Sequence, residues 1–460
     1  MERKPGKRWG AAGRVILFCC ALSVFPAAHA AEKEEYKLDL SEVEKKAYHV
    51  GGFIEARPVL NVLDKSAALY KTTYYNFGVG SVAPEFNHRL QVEGSYDSKL
   101  EEGGVLRFFA RANQDVNYTY QGWYPNGRLY EGLMSFRPTD AYHLDIGKKT
   151  FKWGKGYAWN PVAFIDRPKD PNDPELALEG FWTVSGDYTK SFSGPLKTVS
   201  FTPVFLPVVD PMNTDFGQSA ANPNQAPSAV PSNPNVAAKL YFLLYDTDID
   251  LIYFTGGSKT NRYGVDFSRN ISTNFEIHGE LALVDNFTKQ VVNSNGFVSS
   301  QTYDAWSYLV GVRYLTEKST TYILEYYYNK AGYTGAQMDE FYSFVNKGYD
   351  LYQRTGNANQ INRASNLAQG GYGRNTPQRQ YLYARVSQLE PFDILYFTPA
   401  VTMITNVTDG SFSITPELLY TGITNLELRL KTFFIVGGGN TEFGEKQNNF
   451  RVEFRARYYF

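Results

Sequence analysis

The residues best able to do covalent or metal chemistry stand far apart in this sequence. Past residue 30 the histidines are His49, His88, His143 and His278, and no two of them make the His-x-His or His-Glu-x-x-His spacing of a metal site. His143 and Asp145 are close in sequence, but no particular serine can be assigned to them, and a hydrolase needs nucleophile, base and orienting group together. Asp246, Asp248 and Asp250 alternate as at the start of a calcium loop. The glycine and the distal glutamate of such a loop are missing, so these acids read as a polar turn. Both cysteines, Cys19 and Cys20, lie within the first thirty residues. Disulfides, thiolate ligands and haem attachment through Cys-x-x-Cys-His are thereby excluded from the remainder. The expectation is a protein that is not an enzyme and holds no metal and no cofactor, in which any haem would belong to a partner.

What remains is charge placed at alternate positions. Arg57, Arg89, Arg107, Arg111, Arg137, Arg429, Lys431, Arg451, Arg455 and Arg457 share their strand faces with the acids Glu55, Glu93, Asp97, Glu131, Glu427 and Glu453. Along a water-filled passage such residues select among ions. The bases outnumber the acids, so this side of the passage is expected to be modestly basic. The plainer alternative is a wall of paired charges that keeps the interior wet.

The elements that would carry these charges follow from period-2 alternation. Phe450, Val452, Phe454, Ala456, Tyr458 and Phe460 fall on one face of an extended strand, and Arg451, Glu453, Arg455 and Arg457 on the other. The same pattern returns at 89–97, 106–113, 275–281 and 426–431, in segments of roughly ten residues separated by turn signals, as in outer-membrane barrels. Eighteen such segments can be counted, with sixteen and twenty as alternatives. The parity closes only if 67–79 belongs to the first loop. The expected fold is all-β: a transmembrane antiparallel up-and-down β-barrel over 47–460. Long extracellular loops occupy 63–86, 152–175, 209–235, 286–302 and 331–378, and the short turns face the periplasm.

Magnitudes favour this over a soluble sandwich. Arg451, Arg455 and Arg457 would each cost about 2–4 kcal/mol facing lipid near the midplane, so they must face water. The chain combines 35 Tyr and 32 Phe with a mean hydropathy of only -0.38. No segment past the first thirty residues is apolar enough for a membrane helix. A net charge of -1 gives no reason to expect nucleic acid.

Residues 1–30 read as a signal peptide, with a basic start, an apolar stretch from Val15 to Ala27 and the small-x-small site Ala28-His29-Ala30. Residues 31–46 read as a short periplasmic leader, with a polar helix at Leu38 to Lys46. The expected location is the outer membrane of a Gram-negative bacterium.

The last strand, alternating and ending at Phe460 after Tyr458, resembles the recognition signature of Gram-negative outer-membrane barrels. That resemblance implies the barrel-assembly machinery as a partner, with lipid and lipopolysaccharide around the barrel. The stretch Ile146 to Pro161, "IGKKTFKWGKGYAWNP", is similar to a strand-then-loop segment of large exporter porins such as the alginate-export family. Those relatives are more arginine-rich here, where Lys148, Lys149, Lys152 and Lys155 stand, and no substrate is implied.

Two loops could shape the passage. The segment 152–175 holds four prolines, which stiffen it and cannot extend a ladder, and an inward constriction is expected. Asp166, Asp170, Asp173 and Glu175 would oppose the basic wall across an eyelet. Trp153, Tyr157 and Trp159 would offer a solute an apolar face. In 331–378, Met338, Phe341, Tyr342, Val345, Tyr349 and Tyr352 recur at helical spacing, as a lid or a static cap. The Pro/Asn/Ser-rich loop 209–235 reads as mobile. The functional expectation is a passive or weakly selective porin for small hydrophilic solutes, anions among them. The alternative is a barrel sheath around a periplasmic multihaem cytochrome.

Overall fold

The computed structural model describes residues 46–100, 103–216 and 232–460. Residues 1–45, over which a signal peptide and most of a leader are expected, and most of the loop 209–235 lie outside the described residues. Eighteen strands follow one another in order: β1 (Tyr48–Leu63), β2 (Val82–Lys99), β3 (Val105–Thr119), β4 (Gly122–Thr139), β5 (Tyr142–Lys149), β6 (Phe181–Ser191), β7 (Leu196–Val208), β8 (Asn233–Leu244), β9 (Thr247–Gly256), β10 (Arg262–Ser272), β11 (Phe275–Val292), β12 (Val298–Leu315), β13 (Thr320–Asn329), β14 (Gln380–Gln388), β15 (Phe397–Asn406), β16 (Phe412–Ile423), β17 (Leu426–Val436) and β18 (Asn448–Tyr459). Each pairs antiparallel with the next, and β18 pairs with β1, so the sheet closes without an edge. Closure reaches the last residue: Gly52 and Phe460 exchange two backbone hydrogen bonds of 3.1 Å.

Closure turns the alternation into an inside and an outside. On β1, Ile54 is 56% exposed and Glu55 5%; on β18, Phe454 is 41% exposed and Arg455 3%. Leu90, Phe108, Ile146, Phe205, Leu251, Val310 and Leu418 continue the exposed apolar face around the ring. An apolar band with no partner requires hydrocarbon around it. Outward aromatics gather toward both ends of the strands. Tyr48, Tyr96, Tyr142, Tyr188, Tyr314 and Tyr458 lie at the short-turn end, and Trp123, Tyr253, Tyr263 and Phe434 toward the long-loop end. Their amphipathic rings suit the boundary between hydrocarbon and water.

The short turns are tight. Tyr245 and Asp246 join β8 to β9 with both φ angles positive (51° and 56°), the backbone of a two-residue hairpin whose twist matches its strands. At the other end one expectation needs correcting. The loop expected at 286–302 shrinks to 293–297, because β11 and β12 continue past their bulge at Val284/Phe287 and pair as far as Val292 and Val298. β3 and β4 are likewise long, paired as far as Thr119 and Gly122. The polar stretches there obscure alternation that backbone pairing still sustains.

Three helices cap the long-loop end: α1 (Ala68–Tyr74), α2 (Gly335–Thr355) and α3 (Asn359–Leu367). The helical spacing seen in 331–378 is α2, which starts at a capping box between Thr334 and Gln337 and stops at left-handed Gly356. Its Met338, Phe341, Tyr342 and Val345 pack with Leu69 of α1, Ile361 of α3 and Val292 of β11 into one buried cluster. The 67–79 segment, which parity required to be loop, contributes α1.

Candidate functional site: the narrowed lumen

Inward-facing cations of the wall mostly sit against inward-facing acids. Arg89 bonds Asp115 at 2.7 Å, and Arg111 lies between Glu93 and Glu131 at 2.8 Å from each. Arg107 stands 3.5 Å from Asp97. Arg429 lies between Glu417 and Glu427, Arg451 holds Glu453 at 2.6 Å, and Arg457 holds Glu55 at 2.6 Å. Arg57 and Arg137 have no such partner among the described residues. Counting inward acids from sequence missed Asp115 and Glu417. With them included, this wall is a network of neutralising pairs, so the modestly basic surface expected for it is corrected to the paired alternative.

The segment 150–180 between β5 and β6 folds into the barrel and crosses it. Glu280 of β11 accepts the backbone N–H groups of Lys155 and Gly156, each at 2.6 Å, that of Val162 at 3.3 Å, and Asn160 Nδ2 at 2.9 Å. Glu325 of β13 accepts the N–H groups of Tyr157 and Ala158 at 2.5 and 2.9 Å, and lies 2.9 Å from His278 Nε2. The fit leaves no room for a side chain at Gly156, where a Cβ would meet Trp159 O of the loop itself at 2.1 Å and Leu309 Cδ1 of the wall at 2.9 Å. The Lys155 ammonium reaches Asp250 of β9 at 3.0 Å. Burial opposes its charge, yet Asp250 and Asp266 raise its pKa. On the opposite wall Asp173 meets Arg455 at 2.7 Å and Lys431 at 3.3 Å. Although burial works against ionisation, Lys431 and Arg455 hold the Asp173 carboxyl well below its usual range.

The loop therefore constricts the lumen, but its residues act differently from the eyelet expected. Asp173 bonds the wall directly. Asp166 turns back to accept the N–H groups of Phe151 and Trp153, and burial raises its pKa. Asp170 receives Asn172 and Asn375, and Glu175 receives the Tyr157 hydroxyl. Burial pushes that phenol up to about 12. Trp153 is buried with Phe181, Val204 and Phe254. Trp159 is stacked on Tyr327, their ring centroids 5.1 Å apart. Neither tryptophan presents a free face, because both rings supply the apolar packing that seats the loop. Sequence reasoning missed Glu280 and Glu325: alternation turns both inward, but nothing local names a loop as their partner.

Between loop and wall lies a cavity of about 860 Å³. Arg89, Arg111, Arg429, Arg455 and Arg457 line one side, while Lys152, Arg167, Lys169, Lys259 and Arg262 come from the loop and from the β9–β10 region. The acids in the lining are Asp166, Asp173, Glu175 and Glu427. Within the second group Arg167 pairs with Asp215 at 2.7 Å, and Lys152, Lys169, Lys259 and Arg262 hold the surplus. Lys259 has no carboxylate partner among the described residues; its Nζ stands 3.6 Å from the Phe216 ring centre. Burial and the neighbouring Arg262 guanidinium push its ammonium well below the lysine range. Arg262 Nε is buried with no hydrogen-bond partner among the described residues.

Two smaller groupings also gain positions. Ser135 Oγ lies 2.7 Å from His143 Nε2, and the same nitrogen lies 2.7 Å from Asp145 Oδ1. One nitrogen cannot serve both as the acceptor from serine and as the donor to the carboxylate, and Ser135 is buried within the wall. These residues tie β4 to β5. Asp248 and Asp250, expected in a turn with Asp246, belong to β9, and Asp250 pairs with Lys155 and Lys239.

No protein-family profile matches the chain, and no curated protein matches it. Solved structures do. A mutant porin of Rhodopseudomonas blastica is similar over 90% of this chain and 100% of its own, at 8% identity and a TM-score of 0.44. OccK11 (OpdR) of Pseudomonas aeruginosa is similar over 89% of this chain and 95% of its own, at 11% identity and a TM-score of 0.49. At these identities the likeness is one of fold and says nothing of what passes through the barrel. The alginate-export resemblance has no family match to support it.

Proposed function

We infer that this protein is an outer-membrane channel for small hydrophilic solutes, with a preference for anions. Its strands would sit in lipid and lipopolysaccharide, with the long loops outward and the short turns in the periplasm. The observation that carries the reading is the lumenal cavity lined by Lys152, Lys169, Lys259 and Arg262, none of which has a carboxylate ion pair among the described residues, inside a closed barrel whose outer face is apolar. A solute anion beside Lys259 and Arg262 supplies the counter-charge that the described residues leave out. The Gram-negative origin and delivery by the barrel-assembly machinery rest on the sequence signatures at the two ends. The inward loop and the helical cap take up space that an inserted haem protein would need, which counts against the cytochrome sheath.

Planar-bilayer recording tests this reading. A salt-dependent conductance whose reversal potential favours anions is expected, and Lys259→Gln with Arg262→Gln should reduce that preference. Arg107→Gln, which removes one exposed member of a wall pair, should change it far less. A reversal potential unmoved by the double substitution would remove the anion preference, and a silent barrel that copurifies with haem would favour the sheath.

A further inference from the structure

At the long-loop end, α1, the β3–β4 turn and α3 enclose a groove of about 370 Å³. Its composition contrasts with the rest of the molecule. Charged residues make up 20% of the chain, and the lumen below is dense with them, yet none of the fifteen residues lining this groove is acidic or basic. Carboxamides, hydroxyls and aromatic rings make up most of it. The helix α3 presents Asn362, Ser365 and Asn366 to the groove, with Gln369 just beyond its end. Its opposite face, Ile361, Ala364 and Leu367, is buried in the cap. The Tyr75 hydroxyl donates to Asn362 Oδ1, which orients that amide. The side chains of Ser365, Asn366 and Gln369 have no hydrogen-bond partner in the protein among the described residues. Across the groove the rings of Phe77 and Tyr120 meet edge to face, 4.9 Å between centroids, and remain 38% and 36% exposed.

We propose that this vestibule binds a neutral saccharide. A sugar ring carries hydroxyls that both donate and accept, which is what a carboxamide offers in one side chain. It also has an apolar C–H face that packs on an exposed aromatic ring. Ionic solutes find no counter-charge here, whereas an uncharged polyol requires none to be desolvated. The volume falls within the range of small-molecule sites. The saccharide could be a free oligosaccharide or the neutral outer sugars of a membrane glycolipid, and both present the same chemistry. The proposal goes beyond the channel reading and is measured without it.

The test uses the full-length protein in a detergent without a sugar headgroup. Titration calorimetry is run with maltotriose and, separately, with an uncharged outer-core oligosaccharide of lipopolysaccharide, freed of the carboxylate- and phosphate-bearing inner core. At least one is expected to bind. Asn366→Leu with Gln369→Leu, on the exposed face of α3, should weaken that binding about tenfold or more by removing two hydrogen-bonding groups. Phe77→Ala should weaken it independently of any change in α3. An unchanged thermal unfolding profile establishes that the variants are folded. Binding of maltotriose alone points to a free solute, and binding of the core oligosaccharide alone to membrane glycolipid. Absence of binding by either probe, or equal affinity in the wild type and all the variants, overturns the proposal. A barrel silent in conductance leaves it standing.

Discussion

Arg455 of β18 donates from Nη2 to Oδ2 of Asp173 at 2.7 Å, joining residues 282 apart in the chain. The bond fixes the far end of the inward loop to the wall next to the closing seam. Arg455 is also 3.3 Å from Glu453, so Asp173 enters a network that already balances much of the charge.

Replacing Asp173 with Asn should release this end of the loop. Hydrogen bonds to charged groups contribute about 1.5–3 kcal/mol each, and the loss should appear as higher mean conductance and greater current noise. The pH dependence has a definite sign. Asp173 titrates below its unfolded value of 3.8, so its contribution is complete above that pH and is lost as the pH falls through the folded value. Acidification below 3.8 should loosen wild type toward the Asp173→Asn behaviour while leaving the variant less affected. Equal conductance in the two proteins at neutral pH would show that Asp173 does not restrain the loop.

The other end of the loop depends on two buried carboxylates. Glu325→Leu leaves the N–H groups of Tyr157 and Ala158 unpartnered, at about 1–3 kcal/mol for each unsatisfied group. Glu280→Leu strands those of Lys155, Gly156 and Val162. Either change should free the crossing segment while the barrel remains folded. Trypsin added to the folded protein is expected to cut after Lys155 or Lys169 in the variants and to spare both sites in wild type. Protection retained in both variants would mean that the apolar contacts of Trp153 and Trp159 hold the loop unaided.

The long-loop ends of β14 and β15 should respond to pH through Glu442. Its carboxylate accepts the Tyr381 hydroxyl at 2.6 Å and Asn406 Nδ2 at 2.8 Å. Burial pushes its pKa up from 4.5 to about 7, with Lys446 acting in the other direction. A carboxyl raised in this way favours the folded arrangement around Tyr381 and Asn406 while protonated. The contribution is complete below 4.5 and is lost as the pH rises through 7. Hydrogen exchange at Tyr381 and Asn406, corrected for intrinsic rates, should therefore lose protection between about pH 5 and about pH 8. Glu442→Gln should flatten that dependence, and an equally steep profile in the variant would assign the response to another group.

How much of this was legible beforehand differs between wall and plug. Period-2 alternation alone sorted Phe454 outward and Arg455 inward, and parity forced 67–79 into a loop, where α1 is found. The spacing of Met338, Phe341, Tyr342 and Val345 announced α2. These patterns are local: strand and helix geometry repeat over two to four residues, so each segment carries its own record of which side meets oil and which meets water. Only the tertiary structure decided which charge meets which. The register of β18 on β1 brings Arg457 to Glu55, and the path of the loop brings Asp173 to Arg455 and the Lys155–Ala158 backbone to Glu280 and Glu325. Those pairings arise once the ring has closed and eighteen inward faces share one space, a condition that no single segment of sequence contains.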